Sequence, residues 1–223
     1  MAVPNPKFET SQVLLAAFVA PNGAKWAMDA RARAAASLRA MGAPVKRDEY
    51  WKYTNPAELT VFPTPVAALL AIDEAPMFDN IDRLKLVFVD GVFDAELSDD
   101  LTLEGVEIEP LADALSKDIH WAKDLYGVLE ANGQNPVKRP MAALNTAVAG
   151  QGLVIRATGK AVKPISVRYV HNAETSDAMV HHLVKIDAGA SLTILESGPG
   201  AARFNSVMEI DVAEKAAFHH VRT

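Results

Sequence analysis

Six histidines are the residues most suited to metal binding or proton transfer: His120, His171, and the doublets His181-His182 and His219-His220. A metal site needs several ligands converging on one point. Both doublets lie in β-rich runs, where neighbouring residues face opposite sides of a strand, so one member of each pair turns away from any shared site. The runs superpose at an offset of 24 residues, which sets His181 near Asn205 and His219 near Leu195. The histidines therefore read as surface or core-lining side chains. Cysteine is absent, which removes thiolate nucleophiles, disulfides and any Cys-ligated cluster held by this chain alone, and fits a reducing compartment. Gly150-Gln151-Gly152 and Glu196-Ser197-Gly198-Pro199-Gly200 lack the further glycines and the lysine of a phosphate-cradling loop. No G-x-S-x-G elbow occurs, and the Asp99-Asp100 pair falls in a loop where solvation explains it. No catalytic, cofactor-binding or metal residue is assigned, and the chain is expected not to be an enzyme.

One segment differs in kind. Arg47-Asp48-Glu49-Tyr50-Trp51-Lys52-Tyr53-Thr54 packs three aromatics into four positions of a chain that is 7% aromatic. As an anchor, Trp51 and Tyr53 would share one face of an extended segment and pin it to the body, while Arg47, Glu49 and Lys52 pair at the rim. The other reading is a partner-contact site.

The elements that position these residues follow from periodicity. A helix runs from Phe8 to the stop at Pro21-Asn22-Gly23, and a second carries the stripe Trp26, Ala30, Ala34, Leu38 and Met41 before Gly42 and Pro44. The two should form an antiparallel hairpin. Asn55-Pro56-Ala57-Glu58 reads as the start of a short helix. Leu84 to Val89, Asp90-Gly91 and Val92 to Leu97 form a hairpin signal with a type I′ turn. A strand is expected at Val106 to Glu109, an interrupted helical stretch at Leu111 to Leu129, and a short helix at Met141 to Val148.

Beyond residue 149 the chain becomes a succession of β-rich runs: Leu153 to Ala157, Ile165 to Val170, Met179 to Ile186, Leu192 to Glu196, Val207 to Val212 and Ala217 to Val221. Val184 to Leu192 and Met208 to Ala216 repeat one form, a strand, a small-residue corner and a second strand. Such repeats point to coils that stack, with Ile186 and Ile210 inward in adjacent layers. A β-sandwich is the alternative. The predicted class is α+β, divided into a helical and mixed region at 1–149 and the opening coils of a β-solenoid at 150–223.

Composition narrows the function classes. The net charge of −6 is unevenly spread: residues 1–46 carry six basic and two acidic residues, and residues 73–130 carry four basic and sixteen acidic. An acidic middle and a dispersed basic helix argue against nucleic-acid binding. No apolar run reaches the ~20 residues of a membrane span, and the N-terminus has no signal-type pattern. A soluble, unexported, cytoplasmic protein is expected, with neither nucleic acid nor membrane as partner.

Arg47-x-Glu49-x-Trp51-Lys52-Tyr53-Thr54 with the Asn55-Pro56 helix start resembles the N-terminal signature of the SufD family, scaffold subunits of the SUF iron-sulfur cluster assembly machinery. Phe88-Val89-Asp90-Gly91-Val92-Phe93 is similar to that family's F-V-N-G-x-F segment, and Leu144-Asn145-Thr146-Ala147 to its A-L-N-T-A segment. Pro164-Ile165, His181 and Asn205 are similar to its opening coils. The resemblance implies a right-handed parallel β-helix in a non-enzymatic scaffold that pairs with a SufB-type subunit and a SufC-type ATPase, in a SufBCD-type complex acting through protein-protein contacts. It also implies that the iron-sulfur cluster is assembled with ligands largely from a partner. The chain departs from the family in stopping in mid-coil, and the family's late histidine has no counterpart here. An exposed last coil would pair with a second copy through Ala217 to Val221. A β-helix carbohydrate-active enzyme is the competing class, but the seven acids of residues 150–223 form no cluster. A stand-alone interaction module is a third.

Overall fold

A computed structural model of the chain describes residues 6–69 and 77–223. Among the described residues it is an α+β structure with six α-helices and two mixed five-stranded sheets. Helices α1 (Pro6–Ala17) and α2 (Lys25–Met41) lie antiparallel, tied where the Ala43 amide donates to the Lys7 carbonyl at 2.9 Å. The α2 stripe Ala30, Ala34, Leu38 and Met41 is buried as periodicity requires. The short α3 (Ala57–Thr60) follows, and Asn55 Oδ1 accepts from the Ala57 amide at 3.2 Å.

Strands β1 (Leu84–Val89) and β2 (Val92–Asp94) form the expected hairpin, with Val89 opposite Val92. Asp90 and Gly91 take φ of 49° and 82°, the left-handed pair that a type I′ turn needs. The second strand is shorter than expected. Asp94 Oδ1 accepts from the amides of Glu96 and Leu97, a side-chain turn that competes with the ladder and ends it. Then come β3 (Thr102–Leu103), β4 (Val106–Pro110), α4 (Leu111–Ser116), a 3₁₀ turn at Trp121–Asp124, α5 (Val128–Asn132) and α6 (Pro140–Val148).

The remaining strands are β5 (Leu153–Ala157), β6 (Ile165–Val170), β7 (Asp177–Ile186), β8 (Ser191–Ser197), β9 (Arg203–Val212) and β10 (Ala217–Arg222). They alternate between two sheets, ordered β10-β8-β6-β1-β2 and β3-β4-β5-β7-β9, and each is parallel to the strand two places on. Strands from both sides of position 150 therefore build each sheet. The interior between the sheets holds Leu86, Phe88, Ile155, Ile165, Val184, Ile186 and Ile194. Helices α1, α2, α4 and α6 cover the outer face of the second sheet.

The 24-residue register is corrected. Val184 lies opposite Ile210 and Leu192 opposite Phe218, a spacing of 26, while Ile165 lies opposite Ile194, a spacing of 29. The corners decide it. Gly189 and Lys215, also 26 apart, carry the left-handed φ of 73° and 59°, and each corner closes with the same hydrogen bond, Ala190 N to Asp187 O and Ala216 N to Ala213 O. A slip of two residues preserves the alternation of faces, so Ile186 and Ile210 still both join the interior.

Candidate functional site

The sheets end differently on their two sides. At one end β9 and β10 are edge strands of ten and six residues. Arg203 N and Ala213 N donate to β7 or its approach, and Ala217 N and Thr223 N to β8 or its approach, so the odd-numbered amides face inward along the ladder. Strand alternation turns the amides of Phe204, Ser206, Met208, Ile210 and Val212, and of Phe218, His220 and Arg222, to the free side. None of them donates to another described residue. Phe204, Met208, Ile210 and Phe218 pack on the interior core but remain partly uncovered.

The aromatic motif stands beside this edge. Glu49–Trp51 forms a 3₁₀ turn, not the extended segment expected. Consequently Trp51 and Tyr53 do not share a face: Trp51 is half-buried and Tyr53 is 91% exposed, with Lys52 Nζ 5.4 Å from the centre of its ring. Arg47, Glu49, Lys52 and Thr54 are exposed, and the expected rim pairing of Arg47, Glu49 and Lys52 does not occur among the described residues. Asp48 makes the ion pair instead, with Lys7 at 2.8 Å. Trp51 packs against Tyr50 edge to face at 5.7 Å, and the Arg139 guanidinium lies 5.9 Å from the Tyr50 ring. These three side chains, with Leu129, Pro140 and Met141, wall a cleft of about 590 Å³ whose floor is residues 205–210 of β9. A smaller cleft of about 260 Å³ runs on along β9 past Trp51 to Arg203, Phe204 and Arg222. The Trp51 indole N–H is buried without an acceptor.

Two buried polar networks brace the strands behind that edge, one on each face of β7. On the helical side His181 is fully buried, with Nδ1 3.0 Å from Asn145 Oδ1 and Nε2 2.9 Å from Glu209 Oε1. The Asn145 amide group donates to the carbonyls of Val180 and Asn205, which fixes its oxygen toward His181. Glu209 also accepts from the Gly127 amide at 2.5 Å and the Glu130 amide at 2.9 Å. Both ring nitrogens thus face acceptors, and only the doubly protonated imidazolium satisfies them. The result is a buried ion pair that ties β9 to β7 and to the start of α5. Tyr126 stacks on the His181 ring at 4.9 Å and donates to the Thr146 carbonyl at 2.6 Å. Burial pushes its phenol up to about 12 despite the Arg31 guanidinium over the ring. Arg31, itself lowered by burial, caps the end of α6 through the Ala149 carbonyl at 2.8 Å.

On the interior side His182 is neutral. Its Nδ1 accepts from the Leu153 amide at 3.1 Å, leaving Nε2–H to donate to the Tyr169 hydroxyl at 2.9 Å. Burial pushes this histidine down to about 4. Tyr169 donates in turn to Glu196 Oε1 at 2.5 Å, and His220 Nε2 meets Glu196 Oε2 at 2.6 Å. Burial raises the Tyr169 phenol strongly, reinforced by the adjacent Glu196 charge. Burial also works to raise Glu196, but the Tyr169 hydrogen bond, His182, His220 and Arg222 outweigh it and hold the carboxyl below its ordinary value. Every proton in this chain points to Glu196, so the carboxylate is consumed in joining β6, β7, β8 and β10.

The other histidines have local roles. His120 accepts from the Ala122 amide and meets Glu109 at 2.7 Å, and His171 is exposed. His181 lies opposite Val207 and His219 opposite Thr193, each two residues from the expected neighbour. Among the described residues no group of three or more His, Asp or Glu side chains is placed to hold a metal ion. Nor is any described helix long and apolar enough to cross a membrane. Sequence reasoning missed Asn145, Tyr169, Glu196 and Glu209 as network members. The signal was available: at a spacing of 26, Glu209 pairs with Leu183, one step along the same face from His181. Compared with the known protein families and with curated proteins, the chain finds no match.

Proposed function

We propose that the chain is a non-enzymatic scaffold subunit of a SUF-type iron-sulfur cluster assembly complex, working in the cytoplasm. The β9/β10 end is its docking face toward a SufB-type scaffold, and a SufC-type ATPase joins the same complex. The unpaired amide row of two adjacent parallel edge strands is the observation that carries this reading, because such an edge is a template for another chain. The alternation of β5 to β10 between two sheets is the pattern of right-handed β-helix coils, which fits the resemblance of the Arg47 to Thr54 segment. The cluster is cargo, its thiolates supplied by a partner.

A carbohydrate-active enzyme needs two carboxylates that reach substrate. Here Glu196 and Glu209 are 1% and 2% exposed and already bonded to histidine, which argues against that class. In isolation the same edges would pair between two copies as a concentration-dependent dimer.

Size-exclusion chromatography with light scattering tests the reading. Mixed with the SufB-type and SufC-type proteins of its own organism, the chain is expected to elute in one complex of defined mass. Phe218→Pro, which removes a free-side amide without touching the β8 ladder, is expected to weaken that complex. Separate elution of the wild-type chain would overturn the proposal.

A further inference from the structure

We infer that the cleft between Trp51 and β9 receives an extended acidic segment of a partner chain, one carboxylate of which accepts from the Trp51 indole N–H and pairs with Arg139. The inference rests on the docking reading above and adds the chemistry of the occupant.

The floor dictates an extended backbone. Residues 205–210 of β9 form it, and the amides of Ser206, Met208 and Ile210 lie on the free side, spaced for a strand to add. A volume of about 590 Å³ gives a strand room to lay side chains against the apolar wall of Leu129, Met141 and Met208.

The walls dictate charge. Trp51 presents a buried donor with no acceptor, which costs free energy until a partner supplies one. Arg139 has no ion pair among the described residues; it only stacks on Tyr50. Arg222, at the far end of the groove, likewise has no ion pair there and stacks on Phe204 at 5.6 Å. The two acids in the lining do not compete for them. Glu209 is taken up by His181 and two amides, and Glu130 is engaged by Gln134. The unsatisfied groups are thus all donors or cations, and a strand bearing carboxylates complements them.

Isothermal titration of the full chain with two capped seven-residue peptides, alternating Val with Glu or Val with Lys, tests the inference. The Glu peptide is expected to bind at least about tenfold more tightly, the scale of one charge-assisted hydrogen bond. Trp51→Phe keeps the ring and removes the N–H, and Arg139→Gln removes the charge; each is expected to reduce binding several-fold, with circular dichroism verifying the fold. Equal affinity for the two peptides, or indifference to both substitutions, would overturn it. So would a dimer of the chain, seen by light scattering, that both substitutions abolish, since the occupant would then be a second copy. A SufB-type complex that forms normally with both variants but fails with Phe218→Pro would sink the groove and leave the docking face standing. Peptide discrimination without any such complex would do the reverse.

Discussion

The two ends of the paired sheets solve the same physical problem in opposite ways. At the β2/β3 end the edge strands are three and two residues long, run antiparallel to their neighbours, and sit among Asp94, Glu96, Asp99, Asp100 and Glu104. Short, charged, hairpin-closed strands offer little to another chain. At the β9/β10 end the strands are ten and six residues long, parallel to their neighbours, and backed by partly uncovered Phe204, Met208, Ile210 and Phe218. Both sets of strands flank the same interior core. One end is therefore blunted and the other held ready for pairing, which places partner contact at the second.

Substitutions that unpair each end should differ most in cost. Glu209→Ala leaves the His181 imidazolium and two amides at the base of β9 without their acceptor, and is expected to destabilise the chain by about 3–5 kcal/mol. Asp94→Ala at the blunted end loses two solvent-accessible turn hydrogen bonds and should cost about 1 kcal/mol. Urea denaturation of both variants measures the difference. Equal costs would mean that the open end is no more strongly braced than the closed one.

Acid should loosen the interior network that joins β10 to the body. His182 is neutral in the fold, at about 4 against 6.5 when exposed, so the unfolded chain takes up a proton first as pH falls. Its contribution is fully present above about 6.5 and is lost as pH drops toward 4, a decline of roughly 3 kcal/mol. Glu196, depressed in the fold, adds loss in the same direction as pH falls through its folded value. Denaturation midpoints from pH 7.5 to 4.5 should fall accordingly, and His182→Gln should flatten the upper part of the slope.

The smallest contrast lies in two left-handed glycines. A Cβ on Gly91, at the blunted hairpin, would meet the Ala178 Cβ at 2.2 Å, so Gly91→Ala is expected to cost about 2 kcal/mol. Gly189, in a coil corner, has open space around it, and Lys215 holds the equivalent conformation one coil on. Gly189→Ala should cost no more than about 1 kcal/mol by thermal denaturation.

What could be read from the residues was whatever depends on alternation and turn chemistry. Asp90-Gly91 set the hairpin, Leu153–Ala157 and Ile165–Val170 fall where their apolar runs put them, and the opposite facing of His181 and His182 followed from strand geometry alone. The spacing of the coils was not legible, because Ile-Asp recurs at 24 residues while the left-handed corner recurs at 26. That slip concealed the His181–Glu209 pair. The shape of the aromatic segment was hidden for another reason: a 3₁₀ turn at Glu49–Trp51 leaves no periodic trace in three residues, so Tyr53 was placed beside Trp51 when it faces solvent. Asn145 was noticed only as part of a motif, and its bond to His181 depends on how α6 packs on β7 and β9.

Hydrogen-deuterium exchange of the chain, alone and with a SufB-type partner, tests the role of the open end most directly. New protection is predicted in β9 and β10, strongest at the free-side amides of Ser206, Met208, Ile210 and Phe218, with exchange in β2 and β3 unchanged. A complex that protects β2 and β3, or that leaves β9 and β10 exchanging as in the free chain, would contradict it.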